Sequence, residues 1–308
     1  MKNIKQYIRV GVDYFREVTI PTNGEDIKTL KRWNKQTIID DCGKGAIAEI
    51  TKYEGFCFIP DHINFQKSIN GFYNSYEPIS YKLEPNGTWD KIDMLLRHVF
   101  AEHYDLGLDF LTLLWQKPTQ VLPILCLVSE ERNTGKTTFL NLLKAIFEGN
   151  MTLNTNEDFR SPFNSGWAGK LIIGVDEVLL DKKDDSERIK NLSTAKYFKA
   201  EAKGKDKEEV EFFGKFILCS NNEENFVKID ANEIRYWVRK VLTLGDSVDP
   251  NLFNELVKEV PAFAYFLSQR MIATPKTTRM WFSKEQIHTE ALNVLIRGNR
   301  TNIEKELE

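Results

Sequence analysis

No long apolar run occurs in this 308-residue chain. Its longest, such as Val121 to Val128, fall far short of the ~20 residues that a membrane span needs, so no membrane partner is expected. An apolar leader is missing as well. The opening Met-Lys-Asn-Ile-Lys-Gln-Tyr is polar and directs no export, which makes the cytoplasm the expected location. Cysteine is scarce and scattered. Cys42, Cys57, Cys126 and Cys219 have neither metal-type nor disulfide-type spacing and read as buried free thiols in a reducing compartment. Positive charge is not in excess: 42 Lys+Arg stand against 45 Asp+Glu, a net charge of −3. That argues against a chain coated in basic charge for duplex binding, although a whole-chain sum is blind to a local basic groove. Internal repeats and low-complexity tracts are also lacking.

What is present reads as a folded chain with a sizeable core, 42% hydrophobic and 28% charged, long enough for about two domains. Residues 1–85 form a small, aromatic-rich α+β region. Tyr53 to Pro60 reads as a strand ending at a proline, and Asn70-Gly71 and Pro85-Asn-Gly87 read as turns. Residues 86–118 form a helical connector or collar. Ile92, Leu95, Leu96, Val99 and Phe100 recur at three- and four-residue spacing, and an apolar face continues from Leu106 to Trp115. From residue 119 to 248 the pattern alternates. Val121 to Val128 is a continuous apolar run, the mark of a buried parallel strand. A helix at Phe139–Phe147 follows, then a buried strand at Lys170–Val175 and a charged helical stretch at 181–200. Strand zones at Val210–Cys219 and Trp237–Leu244 complete the series. This alternation argues for a parallel sheet with helices on its faces. Residues 249–308 read as helical, with Asn251–Met271 a lid over the sheet and Ser283–Leu295 a further helix. The charged helical pattern at Asn302–Glu308 reads as cut short.

The sharpest local feature is Ser129-Glu-Glu-Arg-Asn-Thr-Gly-Lys-Thr-Thr138. It follows a buried strand and precedes a helix, the context that a phosphate-binding loop requires. Gly135 admits phosphate close to the backbone, and the N–H groups of Asn133, Thr134, Gly135, Lys136, Thr137 and Thr138 point at the anion. Lys136 reaches the β- and γ-phosphates, and the Thr137 hydroxyl holds Mg²⁺. The usual first glycine of such a loop is replaced by Glu130.

Forty residues after Lys136, the apolar strand Lys170-Leu-Ile-Ile-Gly-Val-Asp-Glu-Val178 ends in two carboxylates, the Walker B pattern. Asp176 would complete the metal shell, and Glu177 would polarise the attacking water. A third apolar strand, Phe216-Ile-Leu-Cys-Ser-Asn-Asn222, is tipped by amides. Asn221 is the candidate γ-phosphate sensor and Asn222 the reserve, while Asn-Asn at a strand end is equally ordinary turn chemistry. Between these strands, Lys196-Tyr-Phe-Lys-Ala-Glu-Ala-Lys-Gly-Lys-Asp-Lys207 sets lysines and aromatics around a glycine turn. Lys199, Lys203 and Lys205 there suit single-strand backbone tracking, and a solvated charged hairpin is the plain alternative. In Asp230-Ala-Asn-Glu-Ile-Arg-Tyr-Trp-Val-Arg239, Arg235 is either a trans-acting arginine finger or one half of a surface salt bridge.

Together these motifs resemble the compact ATPase core of superfamily 3 helicases, most of all the phage and plasmid primase-helicase branch related to poxvirus-type proteins. The resemblance covers roughly residues 120–245. The stretch from Tyr73-Asn74-Ser-Tyr76 through Gly87-Thr-Trp89 to Trp115 looks like the region preceding the core. It implies an α/β fold with a P-loop AAA+-type parallel sheet core flanked by helices, a small N-terminal α+β region and a helical C-terminal segment. It implies a ring, often a hexamer, that moves along single-stranded DNA at the expense of ATP and Mg²⁺. Lys136 and Thr137 would bind ATP·Mg²⁺, and Asp176 and Glu177 would serve metal and water. Asn221 would be the sensor and Arg235 the finger, with Lys203 and Lys205 in the channel hairpin. No primase-like acidic constellation is identifiable in the chain. A primase on the same parent polypeptide would lie upstream of Met1, and a phage-encoded chain would work in the host cytoplasm. Two alternatives stand beside the helicase. A P-loop nucleotide kinase would want an arginine-rich lid, yet residues 181–207 hold Arg188 alone. A ring or loader module would bind ATP with little hydrolysis.

Overall fold

A computed structural model describes residues 4–22, 27–161, 166–180, 182–200, 208–230, 233–245 and 249–300. Lys203 and Lys205, and the charged pattern at 302–308, lie outside the described residues. Two compact units emerge. One comprises residues up to Ile59 together with Phe65–Tyr76, and the other Pro60–Asn64 and the chain from Glu77 onward.

The first unit is built on β1 (Tyr7–Val10), β2 (Asp13–Ile20), β3 (Ile27–Trp33) and β4 (Thr51–Tyr53), in the order β3-β2-β1-β4. Two short helices, α1 (Lys35–Cys42) and α2 (Ala46–Glu49), connect β3 to β4. Tyr7 and Tyr14 on the sheet bury against Ile38 and Ile50. Asn34 caps α1, its side chain accepting from the Gln36 N–H at 2.7 Å, which satisfies one of the free N–H groups of the first turn. The stretch expected as one strand is two, because the chain parts at Glu54-Gly55 between β4 and β5 (Phe56–Cys57). A small second sheet, β5-β7-β6, adds β6 (Ser68–Ile69) and β7 (Phe72–Asn74). Asn70 and Gly71 join β6 to β7 with φ +48° and +83°, the two-residue hairpin turn that Asn-Gly favours.

The second unit begins with α3 (Asp90–Phe100) and α4 (Tyr104–Gln116). Its sheet strands are β8 (Ile124–Val128), β9 (Met151–Asn154), β10 (Ile172–Val175), β13 (Lys215–Ser220) and β14 (Tyr236–Lys240). They run all parallel in the order β14-β8-β13-β10-β9. Every residue of β8, β10 and β13 is buried, which explains their unbroken apolar runs. Between strands lie α5 (Lys136–Phe147), α6 (Asn156–Arg160) and α7 (Lys183–Ser193). A hairpin follows α7, made of β11 (Tyr197–Ala200) and β12 (Glu208–Glu211). After β14 come α8 (Leu252–Gln269), α9 (Lys284–Ile287) and α10 (Glu290–Gly298).

One face of the sheet presents Ile124, Cys126, Val128, Ile173, Val175, Phe216 and Leu218 to Ile189 and Leu192 of α7 and to Leu292 and Leu295 of α10. On the other face, Trp237 stacks on Phe100 of α3 at 5.4 Å and meets Phe110 of α4 at 5.8 Å. Residue 174 must be glycine for the same layer. A Cβ there would come within 3.3 Å of Leu140 on α5 and closer still to Leu153 and Met151. The result is an α/β unit with a parallel sheet and helices on both faces. Among the described residues, no helix is long and apolar enough to cross a membrane.

Two further expectations need correction. Residues 181–200 are not helical throughout, since Tyr197–Ala200 is a strand paired antiparallel with Glu208–Glu211. Phe198 draws it into that form by stacking on Trp167 at 5.5 Å and packing on Phe212 at 5.6 Å. Nor does α8 stand apart as a lid. It belongs to the helix layer with α3, α4 and α5, and its Glu259 carboxylate caps α3 by accepting from the Lys91 and Ile92 N–H groups at 3.0 and 2.9 Å.

Candidate functional site

The ends of β8, β10, β13 and β14 lie together along one edge of the sheet. Val128 is opposite both Ser220 and Lys240, and Val175 is opposite Leu218. Residues just past those strands therefore share the edge. Among them are the loop 129–135, Asp176 and Asn221.

The loop reaches α5 through Asn133, at φ +54°, and Gly135, at φ +83°. Gly135 is the N-cap of α5. A side chain there would be strained by the left-handed backbone, and its Cβ would sit 3.3 Å from Leu244 and 3.5 Å from Leu95. The loop is held from behind. His98 of α3 places Nε2 3.0 Å from the Thr134 carbonyl, and the Leu244 N–H donates to Asn133 O at 3.0 Å.

Lys136 opens α5 and is buried, its Nζ donating to Thr134 Oγ1 at 3.0 Å. Burial lowers its pKa, against opposing pulls from Cys219, Asp176 and Glu223. Thr137 is exposed and donates from Oγ1 to Asp176 Oδ2 at 2.7 Å. Thr138 follows on the same turn, half-buried. Glu177 adopts φ +53°, a backbone state costing of order 1–3 kcal/mol outside glycine. Two contacts from Asn156 hold it. The Asn156 amide donates to Glu177 O at 3.2 Å, and its Oδ1 accepts from the Leu179 N–H at 3.0 Å.

At the tip of β13, Asn222 is occupied as a turn. Its Oδ1 accepts from the Glu224 and Asn225 N–H groups, both at 3.0 Å. Asn221 is exposed on the shared edge. Ser220 ties neighbouring strand ends together, its Oγ donating to Val178 O at 3.0 Å and its carbonyl accepting from the Ser129 N–H at 3.2 Å.

Arg235 is not brought to this edge. It directly precedes β14, where Tyr236 is opposite Ile124 at the start of β8. Its Nη1 lies 3.3 Å from Glu233 Oε2, and Glu233 also pairs with Lys190 at 3.4 Å. Lys199 is exposed on the β11–β12 hairpin.

Sequence reasoning missed three residues of the edge. Glu223 is buried, accepts from the Glu130 N–H at 3.3 Å and pairs with Lys240 Nζ at 2.9 Å. That hydrogen bond raises the Lys240 pKa. Asn156 is the third. None carries a local signal, because each acts through a partner far away in sequence.

Chemically, the edge joins a strained loop at a helix N-terminus, a buried ammonium, and a hydroxyl–carboxylate pair. Such an arrangement accepts an anion with a hard cation beside it.

Comparison with known proteins gives the chain relatives. Residues 127–236 match a family of unknown function (DUF5906). A DNA primase-polymerase of Nitratiruptor phage NrS-1 is 27% identical over 164 residues, covering 51% of this chain and 23% of that protein. The chain therefore spans less than a quarter of that relative's length. The apo structure of the NrS-1 C-terminal region (305-718) superposes with a TM-score of 0.71 at 18% identity, over 96% of this chain and 72% of that one. An A-form apo structure of the NrS-1 C-terminal region gives 0.70 at 20% identity, over 94% and 70%. The chain is related to a phage primase-polymerase and has the fold of that C-terminal region.

Proposed function

We propose that this chain is the ATP-driven motor of a phage replication protein, a ring-forming helicase module that moves along single-stranded DNA. The observation that carries the reading is the 2.7 Å contact between Thr137 and Asp176 beside the buried Lys136. A hydroxyl and a carboxylate at that spacing are the protein share of a Mg²⁺ shell completed by water and nucleotide oxygens. The donor set fits Mg²⁺, which would neutralise charge on the β- and γ-phosphates. Lys136 and the N–H groups of residues 133–138 orient those phosphates, Glu177 takes the proton of the attacking water, and Asn221 positions that water.

The strand order supports the same reading. Because β13 lies between β8 and β10, a third strand tip stands between the loop and the carboxylates, as in an AAA+-type P-loop core. Arg235 lies at the far edge of its own sheet, so its finger role belongs to a neighbouring protomer in a closed ring. There it would exchange Glu233 for a γ-phosphate. The relation to a DNA primase-polymerase supports DNA as the track and a primase as a companion domain.

The kinase alternative gains nothing. Arg188, the lone arginine of residues 181–207, donates to the Phe159 and Ser161 carbonyls. Phosphate release measured with and without single-stranded DNA tests the motor. DNA-stimulated turnover that Glu177→Gln abolishes is expected. A phosphorylated nucleotide acceptor would indicate the kinase. Slow turnover that DNA and Glu177→Gln leave unchanged would indicate the loader.

A further inference from the structure

The opposite edge of the same sheet, where its strands begin, carries a different surface. The segment between α4 and β8 forms one wall of an open cleft of about 410 Å³, lined by Lys117, Thr119, Gln120, Val121, Lys276 and Arg279. Three of the six are cations and none is a carboxylate. Lys117, Lys276 and Arg279 are all exposed, and among the described residues none of them is paired with an acidic side chain.

A neutral side chain fastens this cluster. Gln120 Nε2 donates to Val121 O at 2.6 Å and Arg279 O at 2.8 Å, while its Oε1 accepts from Lys276 Nζ at 2.8 Å. Arg279 rides on a tight turn closed by reciprocal hydrogen bonds between Thr278 and Trp281, at 3.3 and 3.1 Å. Trp281 takes φ +75° there, and its indole N–H is anchored on Thr274 O at 3.1 Å. For a bulky residue that backbone state is an outlier, kept only where its surroundings over-determine it.

The cleft shares a wall with the base of the hairpin. Thr119 and Val121 also border Ala195, Phe212 and Phe213 at the hairpin base. Lys215 locks the two together, its Nζ donating to both the Pro118 and Phe213 carbonyls. On the hairpin, Lys196 lies 5.3 Å from the centroid of the Tyr197 ring, which is 55% exposed. A run of unneutralised cations leading to an exposed aromatic matches the backbone and bases of a single strand.

We propose that Lys117, Lys276 and Arg279 form a phosphate-tracking groove for single-stranded nucleic acid, sharing a wall with the base of the β11–β12 hairpin and on the sheet edge opposite the nucleotide. The groove extends the nucleic-acid half of the proposed function and rests on that half alone. The test is fluorescence-anisotropy binding of a labelled oligothymidylate to the full chain and to the triple variant Lys117→Gln, Lys276→Gln, Arg279→Gln. The dissociation constant should rise at least about tenfold. The slope of log affinity against log salt should flatten by about 2, three phosphate contacts at ~0.7 each. Phosphate release without DNA should be unchanged. Equal affinity and slope in a variant that melts like the parent overturns the groove. If the variant does not fold, photo-cross-linking of a 4-thiothymidine oligonucleotide to the wild-type chain decides. Adducts on peptides holding Lys117 or residues 276–279 support the groove, and adducts confined to other peptides overturn it. A wild-type chain that binds the strand but never hydrolyses ATP would remove the motor and leave the groove standing, so the two failures are distinguishable.

Discussion

Thr137 and Asp176 are 39 residues apart in sequence and 2.7 Å apart in space, Oγ1 donating to Oδ2. The sheet produces that contact. Thr137 sits in the first turn of α5, directly after the loop that leaves β8, and Asp176 directly follows β10, two strands away. The hydroxyl's only role in such a pair is local, so removing it should spare the fold and spoil the metal shell. Thr137→Ala should bind a fluorescent ATP analogue as the parent does in EDTA, and should lose the tightening that Mg²⁺ brings. Thr137→Ser should retain it. Equal tightening in all three proteins would refute a metal role for Thr137.

Lys136 makes a different prediction because it is buried. Its ammonium is held where burial disfavours charge, and among the described residues only Thr134 Oγ1 accepts from it. Replacing it should therefore cost no stability while removing a positioned cation from the transition state. Lys136→Ala should keep or slightly raise the melting temperature. Its ATP turnover should fall on the order of 10²-fold or more. Turnover near the parent rate would remove the phosphate loop from the proposed function.

Much of this edge was legible in the sequence, and the physical reason is locality. A loop between a buried strand and a helix, or a strand that ends in Asp-Glu, is a local pattern. β13 was legible for the same reason, as an apolar run tipped by amides. β9 was not. Met151–Asn154 is the last strand of the sheet, and its alternation is only four residues long and out of step with burial, since Leu153 is 48% exposed while Asn154 is buried. The β11 strand was hidden because Phe198 packs inward while its neighbours Tyr197 and Lys199 are exposed. Glu223 was one acidic residue in a polar run, until its contacts with Glu130 and Lys240 across the edge marked it.

Asn156 was hidden in the same way, and its place suggests what it does. Glu177 holds φ +53° only with help, and Asn156 grips the chain on both sides of it, at Glu177 O and the Leu179 N–H. It is a positioning residue for Glu177 in the proposed reaction. Asn156→Ala should lower kcat for ATP about tenfold or more with KM for ATP nearly unchanged, since nucleotide binding uses other groups. Asn156→Asp keeps the acceptor and loses the donor, so it should recover part of kcat. A rise in KM with kcat intact would show that Asn156 serves nucleotide binding instead.

Lys215 makes stability depend on pH in an unusual direction. It is fully buried at the start of β13, its Nζ meets two backbone carbonyls, and burial lowers its pKa from 10.5 to about 7. In the unfolded chain the same lysine keeps its proton up to the ordinary value. Between pH 7 and 10.5 the unfolded state therefore binds a proton that the folded state does not, and unfolding free energy rises with pH. The slope reaches about 1.4 kcal/mol per pH unit for one proton. Below pH 7 both states are protonated, the full cost of burying the ammonium is present, and this contribution is flat. Urea unfolding from pH 6.5 to 9.5 should thus show the parent gaining stability relative to Lys215→Met as pH rises. Parallel profiles for the two proteins would mean that Lys215 stays charged inside the fold.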